Sequence, residues 1–416
     1  MRLFSLRQCS CLSNKATVMR VGRAEFPLLP MANPLLLANA RYNYFAVRSR
    51  RRIHTSRYLS KSAILQDTQN NEEPELLRPD QLCDGTIPYP KALSPSAIME
   101  FKKCPQSFLF QYLYGLRQPT SEALAKGSMC HSALEHLFDL EPQDRTLKVL
   151  QDLFRTEWCR HRFTDTYRIL FEKSNPDNPQ ILEWDTPAER EWGKSALKLL
   201  ENYYELEDPK TLVRPNPLKR EIWLNAHLSI DPAQGVTASP PKVQPDTPTF
   251  HVRGIVDRLD MVKTADASSK VCLRIVDYKT GKAPNLKYSH QMNEQIVQEA
   301  FFQLKIYALL LREKGAGNDV SFRENEMDVR LLRLFYLNSE PGRAVHWDMD
   351  MGSTRVEQDA LLQEVHQELS NVWMQVVELV SSQDPLAFVG CDRSFCYCHK
   401  CRPRFVPGTV WEPPPS

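Results

Sequence analysis

The chain has no run of 18 or more apolar residues, so no membrane-spanning helix is expected of it. It has no G-x-x-x-x-G-K-[ST] loop either, which excludes a helicase fused within its 416 residues. Acidic residues are almost missing from the first 66 positions. Glu25 stands there against twelve Lys and Arg (Arg2, Arg7, Lys15, Arg20, Arg23, Arg41, Arg48, Arg50, Arg51, Arg52, Arg57, Lys61), a local charge of +11. The whole chain carries +2, which leaves −9 for everything after that segment. A body that acidic cannot hold nucleic acid by global attraction. Contact with phosphates would need a local basic groove, or cations bridging carboxylates to phosphate oxygens.

What is present reads as a soluble globular chain, 42% apolar and 25% charged, long enough for one large domain or two smaller ones. Residues 1–66, Arg-rich with some Ser, have the composition of an organelle transit peptide. The run Arg50-Arg-Arg-Ile-His-Thr-Ser-Arg57 suits the processing end of a mitochondrial presequence, with plastid import or a basic nucleic-acid-binding arm as alternatives. Residues 67–92 read as a polar, Pro-containing linker, 93–405 as the folded domain, and 406–416 as a tail.

Within the domain, Ser94-Pro95 is an N-cap and first-turn pair for a helix turning Ile98, Phe101, Phe108 and Tyr112 inward, which Pro105 must kink or divide. Ser121 can cap a helix holding His131 and Glu135 one turn apart. Thr146–Arg160, Pro187–Leu206, Gln295–Lys314 and Thr354–Ser382 have helical periodicity. Strands are expected over Arg220–Ile230, with Glu221 near the start, and over Met327–Leu337 paired with Arg343–Asp350. The Pro-rich Asp231–Thr247 reads as an insertion in a hairpin loop.

The most informative stretch is Gly254–Gly281, two short apolar strands joined by a polar connection, each with an acidic residue near its end. Ile255-Val256 delivers Asp257. Cys272–Val276 delivers Asp277, with Lys279 two residues on and therefore on the same strand face. Converging carboxylates repel unless a cation lies between them, and hard oxygen ligands suit Mg²⁺ or Mn²⁺. Taken alone, an Asp at a strand end is usually a solvated turn residue, and D-x-K occurs by chance in most chains of this length.

The surroundings add a resemblance. The order Asp257, about twenty residues, then apolar strand-Asp277-Tyr-Lys279-Thr-Gly, resembles the core of the PD-(D/E)xK nuclease superfamily. It is similar to the RecB-like exonuclease branch, which includes CRISPR-associated adaptation nucleases and AddB-type subunits. Within that branch it looks most like the eukaryotic exonuclease V family. Gly127-Ser-Met-Cys-His131-Ser-Ala-Leu-Glu135 fits the upstream G-x-x-x-H-x-x-L-E helix, and Gln303-Leu-Lys-Ile-Tyr307 the downstream Q-x-x-x-Y helix.

The resemblance implies an α/β, restriction-endonuclease-like fold, a mixed central sheet flanked by helices. It implies a metal site made by His131, Asp257, Asp277 and the backbone carbonyl of Tyr278, with Lys279 positioning the nucleophile and Glu135, Glu221, Gln303 and Tyr307 in support. From the residues alone, His131 is more often a satisfied core histidine than a ligand, and Tyr307 reads equally as core, with Gln303 a helix-surface amide. The implied activity is hydrolysis of DNA, at single-stranded ends, in organellar DNA maintenance, with a helicase or other repair partner left open. A catalytically silent DNA-binding scaffold and an RNA-processing nuclease are the alternatives.

Eleven cysteines in a reducing compartment argue against a disulfide framework. Four crowd into Cys391, Cys396, Cys398 and Cys401, with His399 among them. Zinc and iron–sulfur clusters both take four thiolates. Relatives with a cluster add an upstream Cys-Pro, here Cys104-Pro105, to three C-terminal cysteines spaced C-x2-C-x5-C. This chain instead has C-x4-C-x-C-x2-C. A [4Fe–4S] cluster using Cys104 and a self-contained zinc knuckle are both expected possibilities, and Cys104 also reads as a core residue.

Overall fold

The computed structural model describes residues 86–401, apart from 117, 179, 208, 210–216, 232–247, 264–270, 315–327 and 340–341, and apart from the side chains of 217, 218, 314, 400 and 401. The expected transit peptide, most of the linker, the hairpin insertion, the connection after Lys263, the C-terminal tail and the thiol of Cys401 lie outside these residues.

Local signals set the helices. Ser94 Oγ accepts from Ala97 N, and Pro95 opens α1 (Pro95–Lys103). Cys104 is extended and ends it; Pro105 then starts α2 (Pro105–Phe108), which runs into a π-helical turn over Leu109–Leu113. Ser121 caps α3 (Glu122–Leu137) and Thr146 caps α4 (Leu147–His161). A one-turn α5 (Asp165–Arg168) leads to a small hairpin, β1 (Glu172–Ser174) with β2 (Leu182–Trp184), and then to α6 (Thr186–Glu207).

The central sheet follows: β3 (Pro217–Ser229), β4 (Thr249–Lys263), β5 (Val271–Lys279), then α7 (His290–Lys314), β6 (Val329–Ser339) and β7 (Arg343–Asp350). Spatial order equals chain order, β3-β4-β5-β6-β7. β3, β4 and β5 form an antiparallel meander; β5 and β6 are parallel, the long crossover being α7; β7 returns antiparallel. Helix α8 (Arg355–Ser381), opened by a Thr354–Glu357 capping box, and a short α9 (Tyr397–Cys401) complete the chain.

The sheet separates two cores. On one face Val252, Val256, Leu259, Leu273 and Ile275 pack with α1, α7 and α8 through residues such as Ile98, Phe101, Phe301, Leu304, Leu369 and Val376. On the other, Val276, Tyr278, Phe335 and Leu337 pack with α3, α4 and α6 through Leu134, Phe154, Leu200 and Tyr203. β5 is buried from Cys272 to Tyr278, as a central strand covered on both faces should be. Among the described residues no helix is long and apolar enough to cross a membrane.

Three expectations need correction. β3 begins before Arg220, so Glu221 is interior to that strand rather than near its start. Asp257 lies inside the 15-residue β4, not near the end of a short strand. The expected linker also ends early. Ile87 is buried, donates its N–H to Gln383 Oε1 at 2.7 Å and accepts from Gln383 Nε2 at 3.0 Å, fixing the approach to α1 against the end of α8.

Candidate active site

β4 and β5 run paired from Lys263–Val271 to Arg258–Val276 and then part. β5 carries on beside β6, while the edge of β4 that it leaves is taken up at Val252 by Leu93. The site occupies the opening between them. Asp257, next after the last pair, accepts the Tyr278 N–H on Oδ2 at 2.9 Å, replacing the lost ladder bond with a side-chain one. From α3, His131 Nε2 lies 2.7 Å from the Tyr278 carbonyl oxygen, and its Nδ1 3.4 Å from Asp257 Oδ2. Glu221 lies between the paired Arg220–Arg258 and Ile222–Val256, across from Asp257. Its φ of +44° is left-handed, a strained conformation for a residue with a side chain. One ligand atom each from His131, Glu221 and Asp257 lie within 4.8 Å of one another.

Asp277 stands beside that triad on β5 and is only 3% exposed. Its Oδ2 is 2.7 Å from Lys279 Nζ, as the period-two spacing predicts. Lys279 Nζ also donates to Gln303 Oε1 at 3.0 Å, and Gln303 Nε2 donates to Tyr307 Oη at 2.7 Å. The Tyr307 ring is buried against Gly254, where a Cβ would fall 2.5 Å from its Cε1. Tyr307 is thus both core and part of a relay to Lys279. Glu135, one turn beyond His131, sends its charge toward Glu221.

The electrostatics are those of an acidic pocket short of positive charge. Burial, then Asp257, push Asp277 up to about 6. Burial, then Asp257 and Glu135, push Glu221 up to about 7, and burial raises Glu135. Burial works against a charged His131 more strongly than any other single influence. Asp257, Asp277 and the Tyr278 carbonyl together outweigh it, and His131 rises to about 9. Both imidazole nitrogens face acceptors, so an imidazolium supplies the positive charge. The donor set of one imidazole, several carboxylates and a backbone carbonyl is the hard N/O set that fits Mg²⁺ or Mn²⁺.

A sequence profile described as the PD-(D/E)XK nuclease superfamily matches residues 92–404. The chain belongs to the PD-(D/E)XK nuclease superfamily. No curated protein matches it. PD-(D/E)XK nucleases use divalent metals, and their nuclease domain implies a nucleic acid substrate. The mixed sheet between helical layers is the restriction-endonuclease-like architecture expected above.

Behind the PD-(D/E)XK site lies a buried ionic network that sequence reasoning missed. Arg258, 1% exposed, donates to Glu207 from Nη1 at 2.7 Å and from Nη2 at 2.8 Å, to Asp260 at 3.0 Å and to Tyr278 Oη at 2.8 Å. Arg274 Nη2 joins through Asp260 at 2.7 Å. Burial would raise Glu207, but Arg258 holds it down at about 2. Tyr278 is therefore held at both ends, its ring hydroxyl by Arg258 and its peptide groups by Asp257 and His131. No sequence signal distinguishes these charges from surface ones, because the partners come from α6, β4 and β5.

Among the described residues, Cys104 lies with the C-terminal cysteines. Cys104, Cys391, Cys396 and Cys398 bring their sulfurs within 4.8 Å of one another. Cys104 Sγ accepts from Ser107 N and from Cys391 N, both at 3.4 Å. Arg393, which donates to the Lys103 carbonyl at 2.7 Å, holds the Cys391 thiol down at about 6, while burial raises Cys104 and Cys398. His399 Nε2 is 2.9 Å from the Cys391 carbonyl oxygen, a bond that orients the loop. Four thiols so placed could bind a metal. The described set includes Cys104, which a self-contained C-terminal knuckle would not use.

Proposed function

We propose that this protein is a divalent-metal-dependent deoxyribonuclease of the RecB-like, exonuclease V type, degrading DNA from single-stranded ends. The observation that carries the reading is the meeting of Asp257, His131 and the Tyr278 carbonyl at the parting of β4 and β5, with the Asp277–Lys279 pair alongside. His131, Asp257, Asp277 and the Tyr278 carbonyl would hold the cation, with Glu221 and Glu135 adding negative charge around it. Bound there, a divalent ion supplies Lewis-acid stabilisation of phosphate charge and acidifies water, worth several kcal/mol of barrier.

The chain's own residues do the rest. Lys279, fixed between Asp277 and Gln303, presents its ammonium to orient the attacking water and to offset charge on the phosphate oxygens. Gln303 and Tyr307 keep that ammonium from swinging out. The Asp257 carboxylate holds the Tyr278 N–H while His131 meets the Tyr278 carbonyl, so the backbone on either side of Tyr278 is fixed at the site. The Arg-rich segment supports import into mitochondria, or plastids, and hence a part in organellar DNA maintenance. The nearness of the Cys104 sulfur to those of Cys391, Cys396 and Cys398 supports a [4Fe–4S] cluster over a self-contained zinc knuckle.

The direct test is cleavage of end-labelled single strands, closed circular single strands and matching RNA with Mg²⁺, Mn²⁺ or chelator. The expected result is metal-dependent loss of linear DNA with circles intact, abolished by Asp277→Ala without loss of DNA binding. Retained cleavage by Asp277→Ala would remove the site assignment, and preference for RNA would replace the substrate. Iron and sulfide in anaerobically purified protein, with absorbance near ~400 nm, are expected; stoichiometric zinc in a colourless sample would exclude the cluster.

A further inference from the structure

We propose that the outer face of the β3–β4 hairpin is a track on which a single nucleic acid strand lies as it enters the site, an inference that rests on the nuclease reading above. The inner face of this hairpin is core: Leu224, Ala226, Leu228, Phe250 and Val252 are buried. The outer face is covered from Arg258 onward, where Arg258 and Asp260 are buried. Beyond that point three cross-strand pairs face outward in succession, Trp223 with Ile255, Asn225 with Arg253, and His227 with His251.

Trp223 is 64% exposed, an unusual position for the largest apolar side chain, and Asn225 and His227 are exposed as well. The rings of His227 and His251 are stacked, 4.7 Å apart and 10° from parallel. None of the six residues is acidic, although the chain after residue 66 carries −9. At the strand rise of about 3.3 Å per residue, Trp223 lies roughly 7 Å along β3 from Glu221, and His227 roughly 20 Å. The strip therefore runs directly into Glu221 and Asp257.

The chemistry selects a single strand. Aromatic platforms interleaved with a cation bind unstacked bases whatever their sequence, while in a duplex those base faces are hidden. Trp223 offers the first platform next to the carboxylates and the His227–His251 pair the second, with Arg253 between them for a phosphate. Because the strands are anchored by their inner face, the platforms are held in place without the ligand.

The test is fluorescence anisotropy of a labelled single strand of about 16 nucleotides with the full-length protein in chelator, where metal-dependent cleavage cannot proceed. Trp223→Ala is expected to weaken binding about tenfold or more, the scale of one lost base stack, and Trp223→Phe to stay within about threefold of wild type. Affinity for the blunt duplex of the same sequence is expected not to change. Trp223→Ala binding within about twofold of wild type would overturn the proposal, as would Trp223→Phe binding as weakly as Trp223→Ala. Equal loss on the duplex would also overturn it. The nuclease reading is judged separately, by wild-type cleavage in Mg²⁺, so either can fail while the other stands.

Discussion

Gly254→Ala should damage the active site without touching any residue that could hold metal. A Cβ at 254 would lie 2.5 Å from Tyr307 Cε1, 3.3 Å from Cδ1 and 3.5 Å from Pro95 Cδ. Carbon atoms normally approach to about 3.5–4.0 Å, so the ring must retreat by about 1 Å. It has little room, because Tyr307 is 5% exposed and flanked on α7 by the buried Ile306 and Ala308. Overpacking of this kind costs about 1–3 kcal/mol of stability. The displacement passes through the Tyr307–Gln303 and Gln303–Lys279 bonds to the ammonium. A misplacement near 1 Å at a reacting group costs about 10²-fold in rate. Thermal unfolding and single-turnover cleavage at saturating Mg²⁺ would measure the two effects. Adding Tyr307→Leu should restore stability but not rate, since the phenol is then gone. A Gly254→Ala protein with wild-type rate would refute the relay, whatever its melting temperature.

Other expectations follow from charge. With His131 near 9 in the metal-free protein, it is protonated at pH 7 and must lose its proton to ligate. Metal binding at pH 7 should therefore release about one proton from His131 and a further fraction from Glu221, which is raised to about 7, seen by calorimetry in buffers of different ionisation enthalpy, and affinity should rise with pH toward 9. His131→Gln should lower the release by the imidazolium's share and leave the carboxyl share in place. The same raised value stabilises the metal-free fold below the unfolded-state pKa of about 6.5. That contribution is lost as pH climbs through about 9, so the melting temperature should decline over this window, and less so in His131→Gln. Arg258→Met leaves Glu207 buried without its guanidinium partner and Asp260 with Arg274 alone, and should cost about 3–5 kcal/mol in denaturant unfolding.

Much of this was legible because the signals are local. Caps at Ser94 and Ser121, the break at Pro105 and the period-two placement of Asp277 and Lys279 are all written within a few residues. What could not be read depends on where other elements stop. Asp257 becomes a site residue in mid-strand because β5 leaves β4 at Arg258, and the left-handed Glu221 is the matching irregularity in β3. The Arg258–Glu207 pair closes between β4 and α6, residues 51 apart in the chain. Nothing in its neighbours along the chain marks Trp223, which is 64% exposed, as a surface residue.

The cysteine cluster and the active site share one mechanical element, and this gives the last prediction. α1 has nine residues, so it spans about 14 Å. Cys104 terminates it among the sulfurs, and Pro95 begins it 3.5 Å from the position of a Gly254 Cβ, beside Tyr307. Between these ends Ile98 and Phe101 bury the helix against the sheet. A metal on the four thiolates would fix the C-terminal end of α1, and its loss would leave that end tied mainly by N–H···S bonds and the Arg393–Lys103 contact. Cys398→Ala, which spares every residue of the nuclease site, should then lower the melting temperature and reduce cleavage together. Substituting Cys159, exposed on α4 and remote in sequence from both, should do neither. Full cleavage by a metal-free Cys398→Ala protein would show that α1 holds its place without the cluster, and that the two sites are mechanically independent.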